Sequence, residues 1–311
     1  MLSRRLLRVK VMQMVYAHHI QEDSEYKDIL NELELSVSQS HDLYMAFMLL
    51  PSALRKMAAK NIENGLNKIR PTAEEKNPNR RFVNNRLIIE LERNIALQSY
   101  VEETGFSWTN DEDLLRTLFN KLIESKLYKD YMTSDEDSWD NDRAFILHYF
   151  MKELPTYGFL YDSLENKSMY WNDESEFCMS IAVKTFRLFD SNNGESVPMA
   201  GLWKDKDDKD FTVTLLRKTL AMYNEGFELI KKYSLKWDPE RVTTMDTILI
   251  VMAIAEMTNF REMQIKITLN EYIEIGKYYS GEKSNVFING ILEKIVRQLF
   301  EEKRILPSQM Q

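Results

Sequence analysis

Residues 239–257 read PERVTTMDTILIVMAIAEM, and this stretch decides the fold of the chain. Apolar residues at 242, 245, 248, 249, 252 and 254 surround most of a helix's circumference, so the helix has no wide polar face to turn toward water. We therefore expect it at the centre of a helical core. The preceding Asp238, Pro239 and Glu240 are typical of a helix start, with an N-cap aspartate, proline at the first position and an acid in the first turn.

Glycine and proline are scarce, with 9 Gly and 7 Pro in 311 residues. Since these residues interrupt helices, long runs without them predict an all-α fold. The last part of the chain is expected to form helices at 211–233, 239–257, 265–279 and 284–303. Residues 190–210 combine turn residues with mixed charge, and the main break is expected there. The pattern therefore predicts two helical subdomains, residues 1–210 and residues 211–311.

The opening helix, Met1–Ile20, is basic, whereas the rest of the chain is acidic. It carries four positive charges and no acid. Because the net charge of the whole chain is −8, residues 21–311 have a net charge of −12. The four cations are Arg4, Arg5, Arg8 and Lys10. A cationic helix on an acidic body is typical of a protein that touches a polyanion at one place. The alternative is a solvated helix face, but such faces usually interleave both signs.

Helical spacing predicts which side of this opening helix faces the core. The predicted core stripe comprises Leu7, Val11, Met14, Val15 and His18. Arg5, Met12 and Tyr16 share a face turned away from that stripe. Ser3 lies at the expected N-cap position, where the positive helix N-terminus adds attraction for phosphate.

Cysteine usage and hydropathy indicate the setting of the protein. Cys178 is the one cysteine in the sequence, so no disulfide within the chain is possible, and its apolar neighbours predict an inert buried thiol. A reducing cytoplasm is the expected location. No apolar run approaches 18 residues, so no membrane span is expected. The basic N-terminus lacks the apolar segment of a signal peptide.

The motifs of common enzyme classes are missing from the sequence. The glycines form neither GxGxxG nor GxxxxGK[ST], so a phosphate-cradling loop for a nucleotide has no support. The histidines never occur as HExxH or ExxH, which argues against a zinc protease and a di-iron site. Glu271 and Glu274 share a helical face and are interpreted as surface charges. We therefore expect no enzymatic activity, no cofactor and no metal.

Two stretches resemble the family of the bacterial antitermination factor NusB. One is Arg4-Arg5-Leu6-Leu7-Arg8 followed by Gln13-Met14-Val15-Tyr16-Ala17, which is similar to the family's arginine-rich first helix. The other is Leu269–Lys277 (LNEYIEIGK) with Phe287–Leu292 (FINGIL), which is similar to the family's "NEAIELAK" and "FVNGVL" helices. The resemblance covers residues 1–20 and about 211–300. Residues 21–210 look like extra helices inserted after the first helix, giving a long form with an enlarged N-terminal half.

The resemblance implies an RNA-binding antitermination factor. Members of the family pair with the small-subunit ribosomal protein that acts as NusE, and the pair binds the single-stranded boxA element of rRNA leader transcripts within an RNA polymerase antitermination complex. The implied RNA contacts are Arg4, Arg5, Arg8, Lys10, Lys283, Ser284, Asn285 and Phe287. An exposed Phe287 would stack on a base. Tyr16 and Glu256 fall where the family meets its ribosomal-protein partner.

Two other functions remain open at the sequence level. A helical adaptor would keep the protein partner without binding RNA. An enzyme attachment, as in RNA methyltransferases that carry a NusB-like domain, is disfavoured because the chain has no cofactor loop. The resemblance assigns no role to residues 21–210.

Overall fold

The computed structural model of the chain describes residues 2–21, 25–234, 242–281 and 284–310. Fourteen α-helices and no β-strand occur in these ranges, which confirms the all-α prediction. The helices are α1 (Arg4–Ile20), α2 (Tyr26–Leu66), α3 (Ala73–Lys76), α4 (Arg86–Arg93), α5 (Ile95–Thr104), α6 (Glu112–Glu124), α7 (Lys126–Thr133), α8 (Trp139–His148), α9 (Gly158–Lys167), α10 (Ser175–Phe186), α11 (Lys206–Ser234), α12 (Thr244–Asn259), α13 (Ile265–Tyr279) and α14 (Ser284–Glu301).

The helices group into two compact units. The terminal unit comprises Leu2–Val37 and Trp203–Gln311, and the insert unit comprises Ser38–Leu202. Helices α3 to α10 all lie in the insert unit, as expected for extra helices that follow the first one. The expected boundary after residue 210 falls inside α11, and this grouping puts the first helix with the C-terminal helices rather than with the insert.

Helix α12 is the centre of the terminal unit, as its sequence predicts. Every residue from Asp246 to Met257 is buried, and α1, α11, α13 and α14 all pack against the helix. It begins at Thr244, later than expected. The Thr243 hydroxyl accepts from the Asp246 N–H at 3.0 Å, and the Asp246 carboxylate accepts from the Thr243 N–H at 3.4 Å, a reciprocal capping box. The expected start at Asp238 and Pro239 lies outside the described residues.

Two glycines allow close packing between helices of the terminal unit. A Cβ atom at Gly226 of α11 would lie 2.7 Å from the Val251 side chain of α12. A Cβ atom at Gly276 of α13 would lie 2.8 Å from Ile288 of α14. Both distances are shorter than a carbon–carbon contact permits, so a larger residue at either position would push two helices apart.

Helix α1 lies alongside α11 and runs in the same direction. Arg4 pairs with Asp208 near the first turn of both helices, and fifteen residues later the rings of His19 and Tyr223 are 5.3 Å apart. Ser3 caps the helix by accepting from the Leu6 N–H. The predicted core residues Leu7, Val11, Met14 and Val15 are buried, and His18 is half-buried. Met12 was expected on the opposite face, but it is 1% exposed because more than one side of α1 is covered.

The insert unit has its own core, in which two buried tryptophan indoles have backbone partners. The indole N–H of Trp108 donates to the Ala46 carbonyl, and that of Trp171 donates to the Gln39 carbonyl, both at 2.8 Å. The Tyr131 and Phe145 rings stack with their centroids 4.2 Å apart. Aromatic residues in this half of the chain thus contribute to a packed core. Cys178 is fully buried there, as predicted.

Helix α2 continues through Pro51 and spans 41 residues. Its length exceeds what crosses a bilayer, but charged residues such as Glu32, Glu34 and Asp42 interrupt its apolar positions. Among the described helices, none combines the length and the apolar character needed to cross a membrane.

Candidate nucleic-acid interface

Arg4, at the start of α1, is held by the first turn of α11. Its Nε donates to Asp208 Oδ1 at 2.9 Å, and its guanidinium lies 5.0 Å from the centre of the Phe211 ring. The Arg4 side chain is 39% exposed, whereas that of Asp208 is 5% exposed. The Arg4 side chain is therefore partly open to solvent, although its charge is compensated by a nearly buried carboxylate.

Arg8 is the most enclosed cation of α1. It is 2% exposed, and it binds Glu256 of α12 with two hydrogen bonds: Nε to Oε2 at 2.8 Å and Nη2 to Oε1 at 2.6 Å. Two hydroxyls of α13 also donate to the Glu256 carboxylate, that of Thr268 at 3.0 Å and that of Tyr272 at 2.9 Å. This Glu256 cluster, defined as Arg8, Glu256, Thr268 and Tyr272, joins three helices in the core of the terminal unit.

The charges in the Glu256 cluster are stabilised by each other. Burial alone would lower the pKa of the Arg8 guanidinium, but the hydrogen bonds and charge of Glu256 raise it above its usual value. Burial raises the pKa of Tyr272 well above its usual value, and the Glu256 charge raises it further. Tyr272 therefore keeps its proton and donates to the carboxylate. Removing one partner of such a buried pair typically costs about 3–5 kcal/mol.

The structure corrects the roles expected for Arg8 and Glu256. The sequence assigned Arg8 to RNA and Glu256 to a protein partner, yet both are buried and bind each other. Their exposures of 2% and 0% leave neither side chain on a surface that a strand or a partner touches. Lys10 is also 2% exposed, so the expectation of a surface cation at this position is wrong as well.

Arg5 is the most exposed of the three arginines. It forms a forked pair with Glu271 of α13, with Nε to Oε2 at 2.8 Å and Nη2 to Oε1 at 2.7 Å, and its side chain is 49% exposed. The hydrogen bond from Arg5 holds the pKa of Glu271 below its usual value. Glu271, interpreted from the sequence as a surface charge, is thus a partner of α1, and its Oε2 also lies 3.7 Å from Arg8 Nη1.

The residues expected from the C-terminal helices are mostly covered. Ser284 is 6% exposed and its hydroxyl lies 3.0 Å from that of Ser280. Asn285 is half-buried and accepts from the Val286 N–H. Phe287 is 4% exposed and belongs to the hydrophobic core, so the expectation of an exposed base-stacking ring is wrong. Lys283 lies outside the described residues.

Two exposed side chains beside this turn were missed. Val286 is 62% exposed and Tyr278 is 79% exposed. The burial of Tyr272, Ile275 and Gly276 fixes the rotation of α13 and turns Tyr278 outward. Helical periodicity along residues 269–279 (LNEYIEIGKYY) predicts the same outward position for Tyr278. On α1, Tyr16 is 41% exposed, in agreement with its predicted position on the outer face.

The three arginines of α1 each have a carboxylate partner from a different helix. Asp208, Glu256 and Glu271 come from α11, α12 and α13, more than 200 residues away in sequence. The positive charge of the opening helix is therefore largely compensated within the terminal unit. The arginines differ in how firmly they are held, because exposure rises from Arg8 through Arg4 to Arg5.

The helices that pair with α1 lie in a part of the chain that is similar to a known protein family. The NusB family model matches residues 189–297, which include α11, α12 and α13 and most of α14. About a third of this chain is therefore similar to the NusB family. The resemblance noted from residues 269–277 and 287–292 is thereby confirmed, and both stretches lie inside the matched range.

Curated relatives give the same result. The transcription antitermination protein NusB of Salinibacter ruber is 34% identical over 102 residues, covering 33% of this chain and 64% of the relative. NusB of Dictyoglomus turgidum is 41% identical over 78 residues, covering 25% and 54%. NusB of Thermotoga maritima is 32% identical over 95 residues, covering 30% and 65%. The chain therefore spans somewhat less than two thirds of these NusB proteins, and it is longer than they are. No solved structure matches it.

Proposed function

We propose that this protein acts in transcription antitermination. The observation that carries the proposal is the family match at residues 189–297, and the helices in that range provide the carboxylate partners of Arg4, Arg5 and Arg8. In this proposal the protein binds boxA-like single-stranded RNA together with the small-subunit ribosomal protein that acts as NusE, within an RNA polymerase antitermination complex.

The proposed RNA contacts are those α1 cations that can exchange a carboxylate for a phosphate. An exposed ion pair contributes only about 0.2–1 kcal/mol, so a phosphate can replace Glu271 at Arg5 with little cost to folding. Guanidinium binds phosphate with the same forked geometry. Arg4 is a second candidate, and Asn285 at the start of α14 is proposed to contribute, as is Lys283, which lies outside the described residues.

In the proposal, the buried Arg8 and Lys10 do not contact RNA and instead stabilise the position of α1. The buried pair between Arg8 and Glu256 fixes the rotation of α1 on α12, and that rotation turns Arg5 and Tyr16 outward. Tyr16 is the proposed contact with the ribosomal protein, together with Ile20, which is 62% exposed one turn later. A phenol beside an aliphatic side chain suits a protein interface.

A second candidate function is supported by the ion pairs themselves. Because Arg4, Arg5 and Arg8 all have carboxylate partners, RNA must compete for each of them. A helical adaptor that binds the ribosomal protein without RNA would need no such competition. The two functions differ in one measurable property, the affinity for RNA.

The test is a gel-shift titration of the full chain with a boxA-like RNA, with and without the ribosomal protein. The proposal predicts a shift that strengthens when the ribosomal protein is present and weakens about fivefold or more in Arg5→Glu, which repels phosphate. Arg217→Glu is the matched control, since Arg217 is an exposed arginine of α11 in the same unit. Binding of the ribosomal protein with no shift of the RNA in either condition supports the adaptor.

A further inference from the structure

A groove lies between α2 and α6 in the insert unit. Its volume is about 730 Å³. The α2 side comprises Leu49, Ser52, Ala53, Lys56, Met57, Lys60, Asn61 and Asn64. These positions recur every three or four residues, so they form one face of the helix. From Leu49 to Asn64 that face follows the helix axis for about 22 Å, at roughly 1.5 Å per residue. We call this the α2–α6 groove.

The rim of the α2–α6 groove is positively charged. Lys56 and Lys60 are exposed, and neither forms an ion pair or hydrogen bond within the described part of the chain. Arg116 and Glu112 of α6 also line the groove and neutralise each other in an ion pair at 3.0 Å, so the net positive charge comes from the two lysines. Two like charges one helical turn apart repel each other. A bound anion between them would relieve that repulsion.

The charge of the rim is opposite to that of the unit around it. Residues 38–202 contain 19 Lys and Arg against 26 Asp and Glu, a net charge of −7. A positive stripe on such a body attracts an acidic partner to one place and is surrounded by surface that repels it elsewhere. The positive stripe thus specifies both the sign of the partner's charge and the place where the partner binds.

The floor of the groove is apolar. Leu115 and Phe119 of α6 are 3% and 4% exposed and close it from below. Ala53 and Met57 are only half-buried and line the opposite side. Methionine is flexible and adapts to the shape of an apolar partner. A ligand for this groove therefore needs apolar groups along its centre and negative charges along its edge.

We propose that the α2–α6 groove binds an acidic amphipathic helix of a protein partner. A helix lying in the groove would place apolar residues, spaced three and four apart, on the floor, and acidic residues beside Lys56 and Lys60. The 22 Å face matches about four helical turns, or about 15 residues. This inference concerns the insert unit and is independent of the antitermination proposal for the terminal unit.

A nucleic-acid strand fits the groove less well. Proteins that hold single strands offer aromatic faces on which bases stack. Here the Trp108 ring is 3% exposed, and Phe106 packs against it edge to face with ring centroids 5.9 Å apart. Phe119 lies at the floor with 4% exposure. Trp108 and Phe119 are used for packing, and Phe106 is the half-buried ring among the three aromatic side chains of the groove lining. The groove therefore provides charge and an apolar floor but no series of faces on which successive bases could stack.

The experiment uses fluorescence anisotropy with the full chain and three labelled probes. The first is a 15-residue model helix with leucine along one face and glutamate on both flanks. The second is the same peptide with glutamine in place of glutamate, and the third is a 15-nucleotide oligouridylate. The test variant is Lys56→Glu with Lys60→Glu. The control variant is Lys121→Glu with Lys126→Glu, two exposed lysines that do not line the groove.

The proposal predicts that the acidic peptide binds and that the glutamine peptide binds about tenfold more weakly, because two or more charge contacts are lost. Lys56→Glu with Lys60→Glu should weaken the acidic peptide at least tenfold, and the control should change its affinity by less than twofold. Circular dichroism verifies that both variants stay folded. Preference for the oligouridylate, absence of peptide binding at millimolar concentration, or equal losses in the test and control variants would each overturn the proposal.

Discussion

Replacing Arg8 with methionine should destabilise the terminal unit strongly. The methionine removes both hydrogen bonds to Glu256 and leaves a fully buried carboxylate with only the hydroxyls of Thr268 and Tyr272 as donors. The expected loss is about 3–5 kcal/mol of unfolding free energy. Arg5→Met serves as the comparison, because the Arg5 side chain is 49% exposed and the loss of its pair with Glu271 should cost about 1 kcal/mol.

The assay is native-state hydrogen exchange of the amides of α12. Because the chain has two compact units, a single melting curve would mix their transitions, whereas exchange reports on the terminal unit by itself. A second variant, Arg8→Met with Glu256→Leu, removes both charges. It should recover part of the loss, since the unpaired charge is gone but the buried Thr268 and Tyr272 hydroxyls lose their acceptor.

An Arg8→Met variant that loses no more stability than Arg5→Met would refute the structural role of Arg8. A double variant less stable than Arg8→Met would also refute it, because the cost would then come from lost packing rather than from an unpaired carboxylate.

Three further predictions concern the same unit. The pKa of Glu271 is lowered in the folded state, so its contribution to stability is present above the unfolded-state pKa and is lost as the pH falls through the folded-state value. In acid titrations followed by exchange, Glu271→Gln should therefore lose less stability below pH 4.5 than the parent chain. Gly226→Leu should cost about 1–3 kcal/mol, measured by native-state exchange of the α12 amides, because the new side chain meets Val251. Thr243→Ala should cost about 0.5–2 kcal/mol through the lost cap of α12, measured in the same way, with the exposed Thr244→Ala as its control.

The helical content and the centre of the core could be predicted because both depend on local pattern. A helix that is apolar on all sides is stable only in a protein core, and α12 lies in the core of the terminal unit. The apolar stripe of α1 was predicted for the same reason. Met12 was misjudged because a stripe calculation assumes one covered side, and α1 packs against α11, α12 and α13 together.

The candidate site was harder to predict because its chemistry is made by distant residues. The sequence identified Arg8 and Glu256 as important but gave them separate partners, since nothing in a linear pattern shows that residues 248 positions apart will meet. A run of cations without nearby acids suggested free charge. The fold brings carboxylates from three other helices to these cations. The net charge of α1 alone does not include those carboxylates.

Phe287 illustrates a second limit of the sequence pattern. A phenylalanine one turn into a helix is compatible with exposure or burial, and the rotation of α14 decides between them. That rotation is fixed by the close approach of Ile288 to Gly276, a contact between two helices. The neighbouring Val286 is turned outward by the same rotation.

The central claim is that Arg5 is the exchangeable cation of α1 and that Arg8 is structural. The most direct test is the salt dependence of RNA binding, measured by anisotropy with a boxA-like RNA and the ribosomal protein present. Each phosphate contact to a single strand contributes about −0.7 to the slope of log affinity against log salt concentration. Arg5→Gln should make the slope shallower by about that amount, and Arg8→Met with Glu256→Leu should leave it unchanged. A slope that responds to the Arg8 variant and not to Arg5→Gln would contradict the account.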